Sequence, residues 1–125
     1  MNMQAFTYIV PDYDAGLDFF CRVLGFDLIA DIDQGHKRWV EVCAPGAATS
    51  IILARADGPV QEAAIGNQGA GRVWLFLGTD DFARDYAHLR AHGLRFEEPP
   101  RHEPYGTVAV FVDPFGSRWD LIQRA

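Results

Sequence analysis

The feature that most constrains the fold of this chain is an internal duplication. Near the N terminus, a β-rich apolar run is followed by Asp12 and, thirteen residues later, by Gly25. A second apolar run is followed in the same way by Asp80 and Gly93, at an offset of 68 residues. A repeated supersecondary unit predicts two copies of one fold that pack together, since neither copy buries its sheet face alone.

Each copy predicts a strand, a helix and then three strands. In the first copy Asp12 and Asp14 are both suitable N-caps, because a carboxylate can accept hydrogen bonds from the free N–H groups of the first helical turn. Gly25 is expected to end this helix in a left-handed conformation. The helix is predicted to bury the positions spaced at i, i+3, i+4 and i+7, which are Leu17, Phe20, Cys21 and Leu24.

The second copy follows the same plan. Residues 79–81 are expected to cap a helix that ends at Gly93, and a loop is predicted from Pro99 to Gly106. A chain of 125 residues suits one domain. We therefore expect an α+β fold with module 1 at about 1–56, a linker at about 57–71 that carries a short helix near Val60–Ile65, and module 2 at about 72–125.

Composition argues against several classes of function. The formal net charge of −6 leaves no basic stripe for nucleic acid. No apolar run approaches the length of a membrane span, so no membrane partner is expected. Cys21 and Cys43 form neither a disulfide framework nor a CxxC site, which predicts a reducing, cytoplasmic location.

Two segments carry a resemblance to a known superfamily. The first-helix region, with Val10-Pro11-Asp12, Phe19-Phe20 and Val23-Leu24-Gly25-Phe26, resembles the first-helix signature of the vicinal oxygen chelate superfamily. This group includes glyoxalase I, extradiol dioxygenases, fosfomycin-resistance enzymes and bleomycin-resistance proteins. The segment Asp113-Pro114-Phe115-Gly116-Ser117-Arg118-Trp119-Asp120-Leu121 is similar to its terminal DPxGxxxEL signature.

The resemblance implies a fold and an assembly. Two βαβββ modules would form a curved, cup-like mixed sheet with the helices outside, and the cup would hold a small-molecule ligand. Members of the family usually form homodimers. The resemblance does not fix a reaction, because the superfamily contains isomerases, dioxygenases, transferases and binding proteins.

The resemblance also indicates where a metal would bind. Metal-dependent members use four ligands, and the matching positions here are Ala5, Ile52, Trp74 and Asp120. Alanine and isoleucine have no lone pair, and an indole N–H only donates. A hard divalent ion usually needs three or more protein ligands. The sequence therefore predicts no metal and no cofactor.

Strand alternation divides the remaining side chains between two faces. The helix-facing side is expected to carry the apolar set Tyr8, Val10, Val40, Val42, Leu53, Val108, Val110 and Val112. The cup is expected to carry Trp39, Glu41, Trp74, Phe76, Phe111, Arg118 and Asp120. An aromatic wall with few polar groups is typical of a small-molecule site.

The predicted roles of these cup residues differ. Phe76 and Phe111 are expected to fill the cup as core, whereas Trp39 and Trp74 could equally be core or ligand contacts. Tyr105 is interpreted either as a lid over the cup or as a surface tyrosine.

Asp120 needs compensation for its charge if it is buried. One interpretation is a salt bridge with Arg118 or Arg38. The other is that Asp120 and Glu41 hold a cationic or hydroxylated ligand against Trp39 and Trp74 by ion pairing and cation–π attraction.

These residues support three hypotheses about function. The first is a metal-free protein of the bleomycin-resistance type that sequesters an aromatic or cationic compound. The second is an enzyme of the same superfamily, a lyase, isomerase or dioxygenase, with a non-standard metal site or with Asp120 or Glu41 as general base. The third is a subunit whose cup is vestigial.

Overall fold

The computed structural model describes residues 1–125. The elements run in the order β1 (Ala5–Val10), α1 (Tyr13–Leu17) continued by a π-helix (Asp18–Val23), β2 (Asp27–Asp33), β3 (Arg38–Cys43), β4 (Ser50–Arg55), α2 (Pro59–Ala64), β5 (Val73–Gly78), α3 (Phe82–Ala91), β6 (Arg95–Phe96), β7 (Arg101–Glu103), β8 (Gly106–Val112) and β9 (Arg118–Arg124). This order confirms the α+β class and the predicted βαβββ plan of the first copy, whereas four strands instead of three follow α3 in the second copy. None of the helices has the length and apolar character needed to span a membrane.

The chain forms two compact units, Met1–Ile65 and Gly66–Ala125. The first unit holds a four-stranded sheet in the order β1-β4-β3-β2, in which only β1 and β4 are parallel. Tyr8, Val10 and Leu53 are almost fully buried. The predicted helix-facing side of this sheet is confirmed, because Tyr8 packs against Phe20 of the π-helix with ring centroids 5.2 Å apart.

The first helix differs from the predicted one in its second half. It changes to a π-helix after Leu17, and the N–H of Leu24 donates to the carbonyl of Phe19 five residues back, at 3.0 Å. The wider turn buries Phe19, Phe20 and Val23. The 3.6-residue period had selected Leu17, Cys21 and Leu24 for the core, and all three are only half-buried.

The second unit holds a five-stranded sheet in the order β5-β9-β8-β6, with β7 also paired to β8. The prediction of a continuous loop from Pro99 to Gly106 is wrong, because β7 pairs with the start of β8. β6 pairs with the other end of β8. Pro99 and Pro100 separate the two short strands, since proline has no N–H to donate to a ladder.

Gln123 fixes the start of α3, because its side-chain oxygen accepts a 2.8 Å hydrogen bond from the N–H of Phe82.

The helix-facing side of this second sheet carries an aromatic column. Phe111 pairs with Trp119 across the β8–β9 ladder and stacks on it, with centroids 5.6 Å apart. The column continues through Phe96, 5.5 Å from Phe111, to Tyr86 on α3.

This column overturns the predicted orientation of β8. Phe111 and Ala109 face α3, whereas Val108 and Val110 share the opposite face with Asp120. All four β8 residues are buried, so both faces of the strand are apolar. Hydrophobicity alone therefore could not assign its faces.

The turn between β8 and β9 is built on Asp113. One of its carboxylate oxygens accepts the N–H groups of Phe115 and Ser117, and the other accepts the indole N–H of Trp119 at 2.9 Å. Gly66 packs on this turn with φ +71°, and a Cβ there would lie 2.1 Å from the carbonyl oxygen of Phe115. These contacts fix the position at which β9 begins, and therefore the position of Asp120 on β9.

Candidate functional site

Each sheet has one face turned away from the helix that follows its first strand. We call the face opposite α1 the first open face; it carries Thr7, Trp39, Glu41 and Ile52. We call the face opposite α3 the second open face; it carries Phe76, Val110, Arg118 and Asp120. The two faces belong to separate units and are described separately.

The first open face brings an indole and a carboxylate together. Trp39 is 40% exposed, and its Nε1–H donates to Oε1 of Glu41 at 3.3 Å. Ile32 lies opposite Trp39 in the β2–β3 ladder and is also exposed. Trp39 and Glu41 therefore form a pair beside an apolar surface.

The second open face places an aromatic ring beside a carboxylate. Phe76 is the ladder neighbour of Asp120 across β5 and β9, and its side chain is 66% exposed. The prediction that Phe76 fills the core is therefore wrong. An exposed phenylalanine in mid-sheet offers a stacking surface to a ligand.

Asp120 lacks the compensation that was expected for it. No group hydrogen-bonds to its buried oxygen Oδ1. Burial raises the pKa of this carboxyl above its ordinary value, and the charge of Glu98 adds to the increase, whereas Arg101 and Arg118 oppose it.

Both predicted salt bridges of Asp120 are wrong. Arg118 instead holds Glu97 through a fork, with its closest contact at 2.8 Å. Arg38 binds Asp31 at 2.7 Å and Asp14 at 3.0 Å.

The arginines near Asp120 are committed to other acceptors. Besides Glu97, Arg118 donates to the backbone carbonyl of Gly71 at 2.8 Å. Arg101 donates to Glu98 at 2.9 Å and to Glu103 at 3.0 Å. The hydrogen bond from Arg118 holds the pKa of Glu97 below its ordinary value.

Sequence reasoning did not include Glu97, Glu98 or Arg101 in the site. The placement of Glu98 and Arg101 on either side of the two prolines was the sequence signal that could have identified them as site residues. Using this signal required recognising β7 as a strand, because only the β7–β8 pairing brings Arg101 beside Val108 on the second open face.

The remaining predicted ligand contacts have different surroundings. Tyr105 is 49% exposed in the turn after β7, and its side chain contributes to raising the pKa of the Arg101 guanidinium. Trp74 is half-buried at a β-bulge and lines a cavity of about 30 Å³ together with Arg118 and Gly69. Phe111 is fully buried as expected, but it packs on the helix-facing side, so its predicted place in the ligand-binding cup is wrong.

The positions matched to metal ligands do not make up a ligand set. Ala5, Ile52 and Trp74 offer no lone pair to an ion, which leaves Asp120 alone. In neither unit do three His, Cys, Asp or Glu side chains come together as they would around a metal. The residues present therefore do not fit a divalent ion at these positions.

Comparisons with known proteins match the chain along almost its whole length. An uncharacterized protein from Shewanella frigidimarina is 52% identical over 118 residues, which are 92% of this chain and 87% of that protein. The crystal structure of TnmS3, an antibiotic binding protein from Streptomyces sp. CB03234, is 32% identical with a TM-score of 0.79, covering 100% of this chain and 97% of that one.

A glyoxalase/bleomycin resistance protein from Streptomyces sp. CB03234 is also 32% identical, with a TM-score of 0.72, and the match covers 98% of this chain and 100% of that one. The family model of the Glyoxalase/Bleomycin resistance protein/Dioxygenase superfamily matches residues 2–121. The chain belongs to this superfamily.

Proposed function

We propose that this protein is a metal-free binding protein that sequesters an aromatic or cationic small molecule. The observation that carries the proposal is the pairing of an exposed ring with a carboxylate on each open face, Trp39 with Glu41 and Phe76 with Asp120. An exposed ring beside a carboxylate attracts flat or cationic compounds through stacking, cation–π attraction and ion pairing.

Two further observations support a binding protein. TnmS3, which matches the whole chain, is an antibiotic binding protein. The positions matched to metal ligands hold one donor side chain, so a metal-dependent reaction has little support from this donor set.

We also propose that the protein acts as a homodimer in the cytoplasm. β2 is an edge strand, and its Leu28, Ile29 and Ile32 are each more than half exposed. Exposed apolar edge strands favour association. Cys21 and Cys43 are both free thiols, as suits a reducing compartment. Light scattering on a gel-filtration column would show a mass near twice 13.9 kDa if the dimer exists.

A thermal-shift screen with aromatic and cationic compounds tests the binding function. A ligand present at 100 times its Kd should add about 2.7 kcal/mol to the free energy of unfolding. We expect Phe76→Ser to weaken binding of such a ligand without destabilising the apo protein, because the ring is exposed. Val60→Ser is the matched control, since it removes an 85% exposed apolar side chain from α2. A screen without any stabilising compound would contradict the proposal.

Asp120 favours a second candidate function, that of an enzyme with a carboxylate general base. A carboxyl group whose pKa is raised by burial is suited to exchange a proton with a substrate. Mass spectrometry of each bound compound after incubation would reveal conversion. Conversion that Asp120→Asn abolishes, with binding retained, would establish the enzyme instead of the binding protein.

A further inference from the structure

The surroundings of Asp120 indicate which chemical group a ligand presents to it. The carboxylate is half-buried, and no group hydrogen-bonds to its Oδ1. Leaving a buried acceptor without a partner costs about 1–3 kcal/mol, more when it is charged. A ligand that brings a positively charged donor to the solvent side of this carboxylate would offset part of the cost of burying its charge.

Neither of the two arginines that act on Asp120 is free to form an ion pair with it. Each of the two arginines that act on Asp120 is already bound to carboxylates, Arg118 to Glu97 and Arg101 to Glu98 and Glu103. Moving either guanidinium to Asp120 would break charge-assisted hydrogen bonds, which are about twice as strong as neutral ones.

The charges of this network leave one carboxylate in excess. Its carboxylates are Glu97, Glu98, Glu103 and Asp120, and its guanidinium groups are Arg101, Arg118 and Arg95, which acts on Glu97. Asp120 is the carboxylate that no arginine contacts within salt-bridge distance. A ligand cation would balance the network, whereas a ligand anion would increase its net negative charge.

Phe76 supplies the second contact. It is the neighbour of Asp120 in the parallel β5–β9 ladder, so both side chains project from the same face. Because its ring is 66% exposed, it can be covered by an apolar body or approached by a cation. A carboxylate that needs a compensating charge and an apolar surface therefore lie side by side.

We propose that the second open face binds a primary ammonium group, which donates a hydrogen bond to Asp120 while the apolar part of the ligand lies on Phe76. The inference rests on the proposed binding function and narrows it to amines. A quaternary ammonium lacks the N–H donor, and a neutral alcohol lacks the charge, so both bind more weakly than the primary amine.

A series of probes that share one ring tests this proposal on the whole chain. The probes are 2-phenylethylamine, its N,N,N-trimethyl derivative, 2-phenylethanol and 3-phenylpropionate, titrated into the protein and followed by backbone amide chemical shifts. We expect the amine to bind about tenfold more tightly than the alcohol, and the carboxylate to bind weakest, as charge-assisted hydrogen bonds predict.

Two charge-removing variants locate the effect. Asp120→Asn should reduce the affinity for the amine to that of the alcohol. Asp80→Asn is the matched control, because it removes the same charge from a 92% exposed side chain two residues before α3, and it should leave the affinity unchanged.

Equal binding of amine and alcohol by the unaltered protein would overturn the ammonium proposal, as would an Asp120→Asn variant that binds the amine normally. The absence of any binding by the amine would also overturn it. In that case, a neutral aromatic compound that stabilises the protein in the thermal-shift screen would still support the proposed binding function. If neither experiment finds a ligand, both proposals are overturned.

Discussion

Asp113 and Asp120 lie seven residues apart in the second unit and have opposite surroundings. Asp113 is 4% exposed and accepts three hydrogen bonds, from two backbone N–H groups and the indole of Trp119. Asp120 has a buried oxygen without any donor. At the residue scale, the first carboxylate has a structural role, whereas the second is the one that we propose to contact a ligand.

We expect Asp113→Asn to destabilise the protein by about 2–3 kcal/mol, because the amide –NH₂ would face N–H donors inside a buried turn. Urea unfolding followed by tryptophan fluorescence measures this loss. Asp33→Asn is the control, since Asp33 accepts the N–H of Gly35 in an exposed turn, and it should cost less than about 1 kcal/mol. Equal losses in the two variants would contradict the assigned role of Asp113.

The raised pKa of Asp120 gives a stability prediction with a definite sign. A folded-state pKa above the ordinary value of 3.8 means that the native state binds this proton more tightly than the unfolded chain does. Ionisation of Asp120 therefore lowers stability as the pH rises through the folded-state pKa.

We accordingly expect the stability of Asp120→Asn relative to the original protein to increase as the pH rises above about 3.8 and through the folded-state pKa. Denaturation curves of both proteins at several pH values measure the difference. A difference that stays constant across this range would show that the carboxyl is not perturbed.

At the element scale, the segment before β5 is anchored by its glycines. Gly66 combines a left-handed φ with backbone contact to the β8–β9 turn, whereas Gly71 has φ +86° and open space around its missing Cβ. Comparing substitutions at these two positions therefore separates the cost of left-handed backbone strain from the cost of steric overlap.

We expect Gly66→Ala to cost at least about 2 kcal/mol more than Gly71→Ala, because only the first adds a clash with Phe115 to the roughly 1 kcal/mol of left-handed strain. Thermal unfolding of the two variants measures this. Similar melting temperatures would mean that the segment does not pack on the turn.

Two elements show the limits of pattern reasoning. The helix caps at Asp12 and Asp81 and the glycines that follow the helices were predicted from local chemistry and are present. The π-helix was not predicted, because its extra residue per turn follows from aromatic packing around Phe20. β7 was missed because it exists only through its pairing with β8.

For the whole molecule, the donor set predicts indifference to divalent ions. We expect that manganese, nickel and zinc do not raise the melting temperature by specific binding. We also expect that chelators leave ligand binding unchanged. Thermal shift with each ion, and titration of a screened ligand with and without a chelator, measure this. A saturable stabilisation at stoichiometric metal would contradict the ligand analysis.

The sequence by itself determined the duplication, the α+β class, the helix starts and the positions that lack metal donors, because these depend on local spacing and side-chain chemistry. Only the tertiary structure decided that Phe111 packs under α3, that Phe76 is exposed and that Asp120 has no ion-pair partner. β8 is apolar on both faces, so its orientation follows from ladder pairing with β9. The isolation of Asp120 arises because Glu97, Glu98 and Glu103, brought close by folding, already occupy the arginines around it.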